Sequence, residues 1–132
     1  MHELLELGRC RLGVDIETLM MVDSMEMSKI ERNYIIQKCI EEPVQQIVIT
    51  HGTDTMVATA RMLADAVQDK TIVLTGAMIP VKFGSSDGLF NMGSALSFVQ
   101  ALPPGIYIAM NGQIFNQENV CLTLTLFFAA LE

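Results

Sequence analysis

Residues 47–56 read IVITHGTDTM, an apolar run that ends in a compact cluster of hydroxyl, acid and imidazole groups. With Gln46 the apolar part becomes QIVIT (46–50), the length of a strand covered on both faces. Gly52, directly after that strand, permits close backbone approach. Thr53 and Asp54 then lead into a helical pattern over 55–68, whose Met56, Ala60, Leu63, Ala64 and Val67 fall on one face, the expected buried side. A helix N-terminus offers free N–H groups and the positive end of a dipole, so it can hold a carboxylate or a developing oxyanion. Thr53 adds a hydroxyl that donates or accepts, and Asp54 a carboxylate that can hold an ammonium. The plainer reading is that Thr53 or Asp54 caps the helix and that His51 is a polar loop residue; local pattern alone favours it. A metal at His51 has little support, because the other histidine is His2 and no spacing identifies carboxylate partners.

Outward from this corner, helices and strands take turns. Residues 2–8 suit a short helix, and RLGVDIETLM (11–20) alternates as a strand does. Ser28 is a candidate N-cap for a helix in which Ile30, Tyr34, Ile35, Cys39 and Ile40 lie near one face and which Pro43 ends. TIVLT (71–75) is a second buried strand, followed by the loop GAMIPVKFGSSD. From Gly88 to about Leu102 the pattern is helical, with Asp87 or Ser86 as cap and Pro103 and Pro104 as the stop. GIYIAM (105–110) is a further strand. CLTLTLFFAAL (121–131) reads either as a last element buried on the core or as an apolar edge that drives self-association. Strand, helix and strand joined by short links predict a right-handed, three-layer, Rossmann-like α/β fold: an open, mainly parallel sheet with helices on both faces. Residues 1–132 read as one domain, and ligands of such sheets collect at the carboxyl ends of the strands.

A 132-residue chain that is half hydrophobic, without Trp, must fill its core with aliphatic residues and ten Met, which suits strands between helices. Fifteen acids against eight bases give a net charge of −7, which disfavours nucleic acid and anionic membrane as partners. Cys10, Cys39 and Cys121 are widely spaced and form no C-x-x-C pair, as expected of reduced thiols in a cytoplasmic protein. The longest apolar stretch falls short of the roughly 18 residues that a membrane span needs. MHELLELGRC has no basic start of the signal-peptide kind.

VITHGTDTM, IVLTGAMIP and SSDGLFNMGSAL occur in that order. Together they resemble the bacterial-type L-asparaginase family, in which H-G-T-D-T, a G-A-M loop and an S-x-D-G-x-x-N helix start follow one another. The resemblance runs from about Ser24 to Val120. It implies hydrolysis of L-asparagine to L-aspartate and ammonia, with L-glutamine as a further substrate, on an α/β fold to which larger enzymes add a second domain. By the same resemblance Thr53 and Asp54 are catalytic, and Asp54 also holds the substrate's α-ammonium. Ser24 corresponds to the family's serine for the substrate carboxylate. Met25 stands where a Gln that helps bind the ammonium is common. Ala77 matches the loop residue whose carbonyl lies by the amide, and Gly52 approaches the substrate closely. No cofactor is implied, and a homodimer or higher homo-oligomer is expected.

Two departures accompany these matches. The family's first strand ends in T-G-G-T-I, whose first threonine is the leading candidate nucleophile, and no such string occurs here. The family's catalytic lysine lies downstream of the strand that here reads GIYIAM, yet no lysine follows Lys82. The resemblance places Met1 within the helix after that first strand, so the strand's neighbours are expected to lack a main-chain partner. Two alternatives stand beside the enzyme reading. One is a non-catalytic amino-acid-binding or structural remnant. The other is an asparaginase-like subunit of the archaeal glutamyl-tRNA amidotransferase, which shares H-G-T-D-T but against which the acidic charge weighs.

Overall fold

The computed structural model of the chain describes residues 2–79 and 85–116. One sheet carries the strands β1 (Gln46–Thr50), β2 (Thr71–Thr75), β3 (Gly105–Met110) and β4 (Gln113–Asn116), paired in that order. β1, β2 and β3 are parallel, with Gln46 beside Thr71 and Thr71 beside Gly105; β4 is antiparallel to β3. The parallel strands end together, and that common end carries the candidate site.

Around the sheet stand α1 (His2–Leu7), a 3-10 turn (Ser24–Glu26), α2 (Lys29–Glu41), α3 (Met56–Ala66) and α4 (Gly88–Ala101). Side chains alternate between the two faces of a strand. Ile72, Leu74, Ile106, Ile108 and Met110 therefore pack with Met56, Ala60 and Leu63 of α3 and with Ile35 and Cys39 of α2. Val73 and Ala109 point the other way, to Ala95 and Val99 of α4. Each fully buried Val, Leu or Ile stabilises the fold by roughly 1.5–3 kcal/mol. β2, buried at all five positions, is the centre of both layers.

The handedness departs from expectation. β1 to β2 and β2 to β3 step in the same direction across the sheet. Two right-handed crossovers would put α3 and α4 on one face. They lie on opposite faces, so one of the two crossovers is left-handed. β2 is apolar on both sides, and covering both outweighs the handedness preference.

Other expectations need correction. Residues 11–20 form no strand, because that segment has no ladder partner; only Leu19 and Met20 pack on the core. β1 was expected to be covered on both faces, but Ile47, Val48 and Ile49 are half-buried, since β1 pairs with β2 alone among the described residues. On α2 only Ile35 and Cys39 are buried, whereas Ile30, Tyr34 and Ile40 are exposed. The seam is narrow: Tyr34 and Ile40 each sit about 100° round the helix from it. Ser28 does cap α2, in a capping box completed by Glu31, whose carboxylate the Ser28 hydroxyl holds below its usual pKa. The buried Lys70 ammonium closes the other end by donating to the carbonyls of Cys39 and Glu42. Burial pushes the Cys39 thiol up to about 11.

β4 had no counterpart in the sequence reading. Asn111 and Gly112, with φ of 55° and 75°, turn β3 into it. Asn-Gly is the residue pair that such a two-residue hairpin favours. The apolar tail 121–131, Cys121 and Lys82 lie outside the described residues. Among the described residues no helix is long and apolar enough to cross a membrane.

Candidate functional site

At the carboxyl end of β1 the chain leaves the ladder gradually. The His51 N–H still donates to the Thr75 carbonyl at 2.8 Å, and Gly52 to Thr55 then form the loop into α3. The N-cap position of α3 is Thr55, and no side chain caps there. The capping reading of Thr53 and Asp54 therefore fails. Thr55 instead donates its hydroxyl to the Ser24 carbonyl at 2.8 Å, tying the 3-10 turn to this loop.

That tie brings Ser24 against Gly52. A Cβ on Gly52 would stand 2.6 Å from the Ser24 Oγ, so only glycine admits this approach. Asp23 holds the turn open to it by accepting from the Met25 N–H at 2.9 Å. Ser24 is 2% exposed, and its hydroxyl has no hydrogen-bond partner among the described residues. An unmet buried hydroxyl costs about 1–3 kcal/mol, which a ligand's acceptor oxygen would recover. Thr53 is half-buried and Asp54 exposed beside this contact, and Met25 is 71% exposed.

The loop after β2 forms the second wall. Gly76 packs on the backbone of His51, where a Cβ would overlap the His51 carbonyl oxygen. Ala77 follows, half-buried. Asp87 was read as a cap for α4 but serves this loop: its carboxylate accepts from the N–H groups of Met78 and Ile79, each at 3.0 Å. The local cap is Ser86, whose hydroxyl accepts from the Gly88 N–H at 2.9 Å. Burial raises the Asp87 pKa, but the N–H donors of Ile79 and Met78, then the Asn91 amide, more than offset it and hold the carboxyl below its usual value. Asn91, fully buried, donates to the Gly76 carbonyl at 2.8 Å and accepts from the Asn111 N–H at 3.0 Å. The S-x-D-G-x-x-N stretch is thus a clamp on the G-A-M loop.

His51, read as a loop residue, is 7% exposed. Its Nδ1 lies 2.7 Å from the Gly52 carbonyl and its Nε2 2.8 Å from the Thr59 hydroxyl. Arg32 of α2 reaches the same hydroxyl through Nε at 3.0 Å. Burial lowers the His51 pKa; the Gly52 carbonyl opposes that, and the Arg32 charge adds to it. The sequence signal for this group was Thr59, a polar residue on the otherwise apolar face of Met56, Ala60 and Leu63.

An open α/β protein whose loops cluster at the carboxyl ends of its parallel strands, where ligands of such sheets collect, is the class that this fold defines. Within that class the chain belongs to the asparaginase family: the family's amino-terminal domain, "Asparaginase, N-terminal", matches residues 3–132. An L-asparaginase of Thermococcus kodakarensis is 43% identical over 70 residues, which are 52% of this chain and 21% of that protein. A glutaminase-asparaginase of Acinetobacter glutaminasificans is 40% identical over 90 residues, 64% of this chain and 27% of that protein. The solved thermostable L-asparaginase from Thermococcus kodakarensis superposes with a TM-score of 0.77 at 32% identity, covering 88% of this chain and 38% of that one. The matched segment spans about a fifth to a quarter of the length of these curated relatives.

Proposed function

We propose that residues 1–132 form one asparaginase-like α/β domain whose loop cluster binds L-asparagine and presents its side-chain carboxamide for hydrolysis to L-aspartate and ammonia. The observation that carries this is the buried, unpartnered Ser24 hydroxyl sealed against Gly52 at the mouth of β1. In this reading Ser24 donates to the substrate carboxylate, and Asp54 holds the α-ammonium. Thr53 acts at the amide from the loop that leads into α3, whose free N–H groups favour developing negative charge. Gly52 and the Ala77 carbonyl line the approach, and the exposed Met25 contributes apolar contact where an amide side chain would hold the ammonium. L-Glutamine fits the same recognition with one more methylene, a difference of about 1–3 kcal/mol.

Covalent amide hydrolysis needs an attacking group and a base. The sequence holds neither a T-G-G-T-I threonine nor a lysine after Lys82. The residues present bind and orient, and we expect weak turnover by this chain alone. We place the protein in the cytoplasm as a homo-oligomer, in keeping with Cys10 and Cys39 as free thiols. Calorimetry with L-aspartate tests the site: binding that Ser24→Ala weakens is the expected outcome, and binding indifferent to that change would remove Ser24 from it. Ammonia release from L-asparagine and L-glutamine should fall in Thr53→Val; an unchanged rate would remove Thr53.

A further inference from the structure

The chain of contacts through His51 has a direction. Arg32 Nε–H can only donate, so the Thr59 oxygen accepts from it at 3.0 Å. The Gly52 carbonyl can only accept, so Nδ1 of His51, 2.7 Å away, carries a proton. For a neutral ring Nε2 is then bare and accepts the Thr59 hydroxyl proton at 2.8 Å. Every member is satisfied in this one arrangement. Arg32 is itself held in place by NH1 donating to the Met27 carbonyl at 3.0 Å, and Thr59 is fully buried.

The far end of the chain is the peptide between Gly52 and Thr53. Its carbonyl and the Thr53 N–H belong to one rigid plane, so holding the oxygen fixes where the N–H points. Gly52 cannot shift toward Ser24, because the two are already in contact. A hydrogen bond to the carbonyl also polarises the amide and strengthens its N–H as a donor. We propose that His51 is a positioning residue: Arg32 and Thr59 hold its ring as the Nδ1–H tautomer, which locks the Gly52–Thr53 peptide and sets the aim of Thr53 toward the ligand. The aim toward a ligand rests on the function proposed above, whereas the lock itself does not.

The full chain labelled with 15N contains two histidines, His2 and His51, so long-range 1H–15N spectra resolve them. His51 should show a protonated Nδ1 and a bare Nε2, the reverse of the tautomer that free neutral imidazole favours. Thr59→Val should abolish that pattern, move the Thr53 amide resonance and weaken L-aspartate about fivefold, as loss of one hydrogen bond implies. Thr59→Ser, which keeps the hydroxyl, should restore all three, a rescue that a packing role would not give. A bare Nδ1 on His51 in the unaltered protein would overturn the inference, whether or not the valine variant folds. So would a Thr53 amide that ignores Thr59→Val. Should the tautomer and the Thr53 shift behave as expected while L-aspartate moves no resonance of Ser24 or Thr53, the lock stands and the amino-acid site falls.

Discussion

Two loops wall the candidate site, one after β1 and one after β2, and they are held by opposite means. The first hangs on a donor chain that runs from the Arg32 guanidinium through the Thr59 hydroxyl and a neutral His51 ring to the Gly52 carbonyl. The second hangs on an ionised carboxylate, Asp87, and on the Asn91 amide. The first hold is buried and the second is partly open to solvent. A buried group is kept neutral by desolvation, whereas a carboxylate near the surface keeps its charge and gathers N–H donors. The same task, fixing a few backbone amides beside the candidate site, is therefore met with two different sensitivities.

The largest effect should come from breaking the second hold at Asn91. Asn91→Leu leaves the Gly76 carbonyl and the Asn111 N–H without their partner in a fully buried place. Two unmet groups should cost about 3 kcal/mol, read as a lower urea midpoint. A midpoint within error of the parent would mean that the clamp does not hold the loop. Glycine substitutions rank next and set the loops against each other. Gly76→Ala drives a Cβ into the His51 backbone and should cost about 2 kcal/mol. Gly52→Ala meets the Ser24 side chain instead, so it should cost less stability but abolish L-aspartate binding in calorimetry. The reverse order of stabilities would break the comparison.

Much of the frame was legible before any coordinates. QIVIT, TIVLT and GIYIAM are apolar runs of strand length, and residues 55–68 and 88–102 carry helical spacing; all appear as strands or helices within a residue or two. Those signals are local. The left-handed crossover is not, because it follows from which face of β2 each helix covers, and no single segment encodes that. Alternation in 11–20 misled because a strand needs a partner and that segment has none. The close contact of Ser24 and Gly52 was reachable only through the ordered motifs and the family they resemble; a serine before a helix otherwise reads as a turn. His51 was misjudged because its burial is conferred by Arg32 and Thr59, which arrive from two other elements.

A smaller effect should follow from thinning the Asp87 contacts. Asp87→Asn keeps one acceptor oxygen for the two N–H groups of Met78 and Ile79, so one of them turns to solvent. The expected loss is about 1 kcal/mol, modest because the carboxylate is partly exposed. Hydrogen exchange should localise it to the Met78 and Ile79 amides. Faster exchange at Gly52 or Thr53 in this variant would show that the two holds are coupled.

The smallest effect, and the sharpest separation of the two loops, is in the dependence of stability on pH. Both His51 and Asp87 have folded pKa values below their unfolded ones. In each case the unfolded chain binds more protons between the two values, so stability rises with pH there and is lost as pH falls through the folded value. The windows differ because the unfolded values differ: about 6.5 for an imidazole and about 3.9 for an aspartate. Acidification should first erode the His51 hold below about pH 6.5, where a protonated ring would face the Arg32 charge and its Nε2 could no longer accept the Thr59 hydroxyl proton. Asp87 should hold until below about pH 3.9. Urea midpoints measured from pH 8 to pH 3 for the parent, His51→Asn and Asp87→Asn read the two separately. His51→Asn should flatten the upper part of the profile and Asp87→Asn the lower. A parent whose stability is level between pH 7 and pH 5 would show that His51 binds protons equally in the folded and unfolded states across that range, and the difference between the loops would then be one of burial alone.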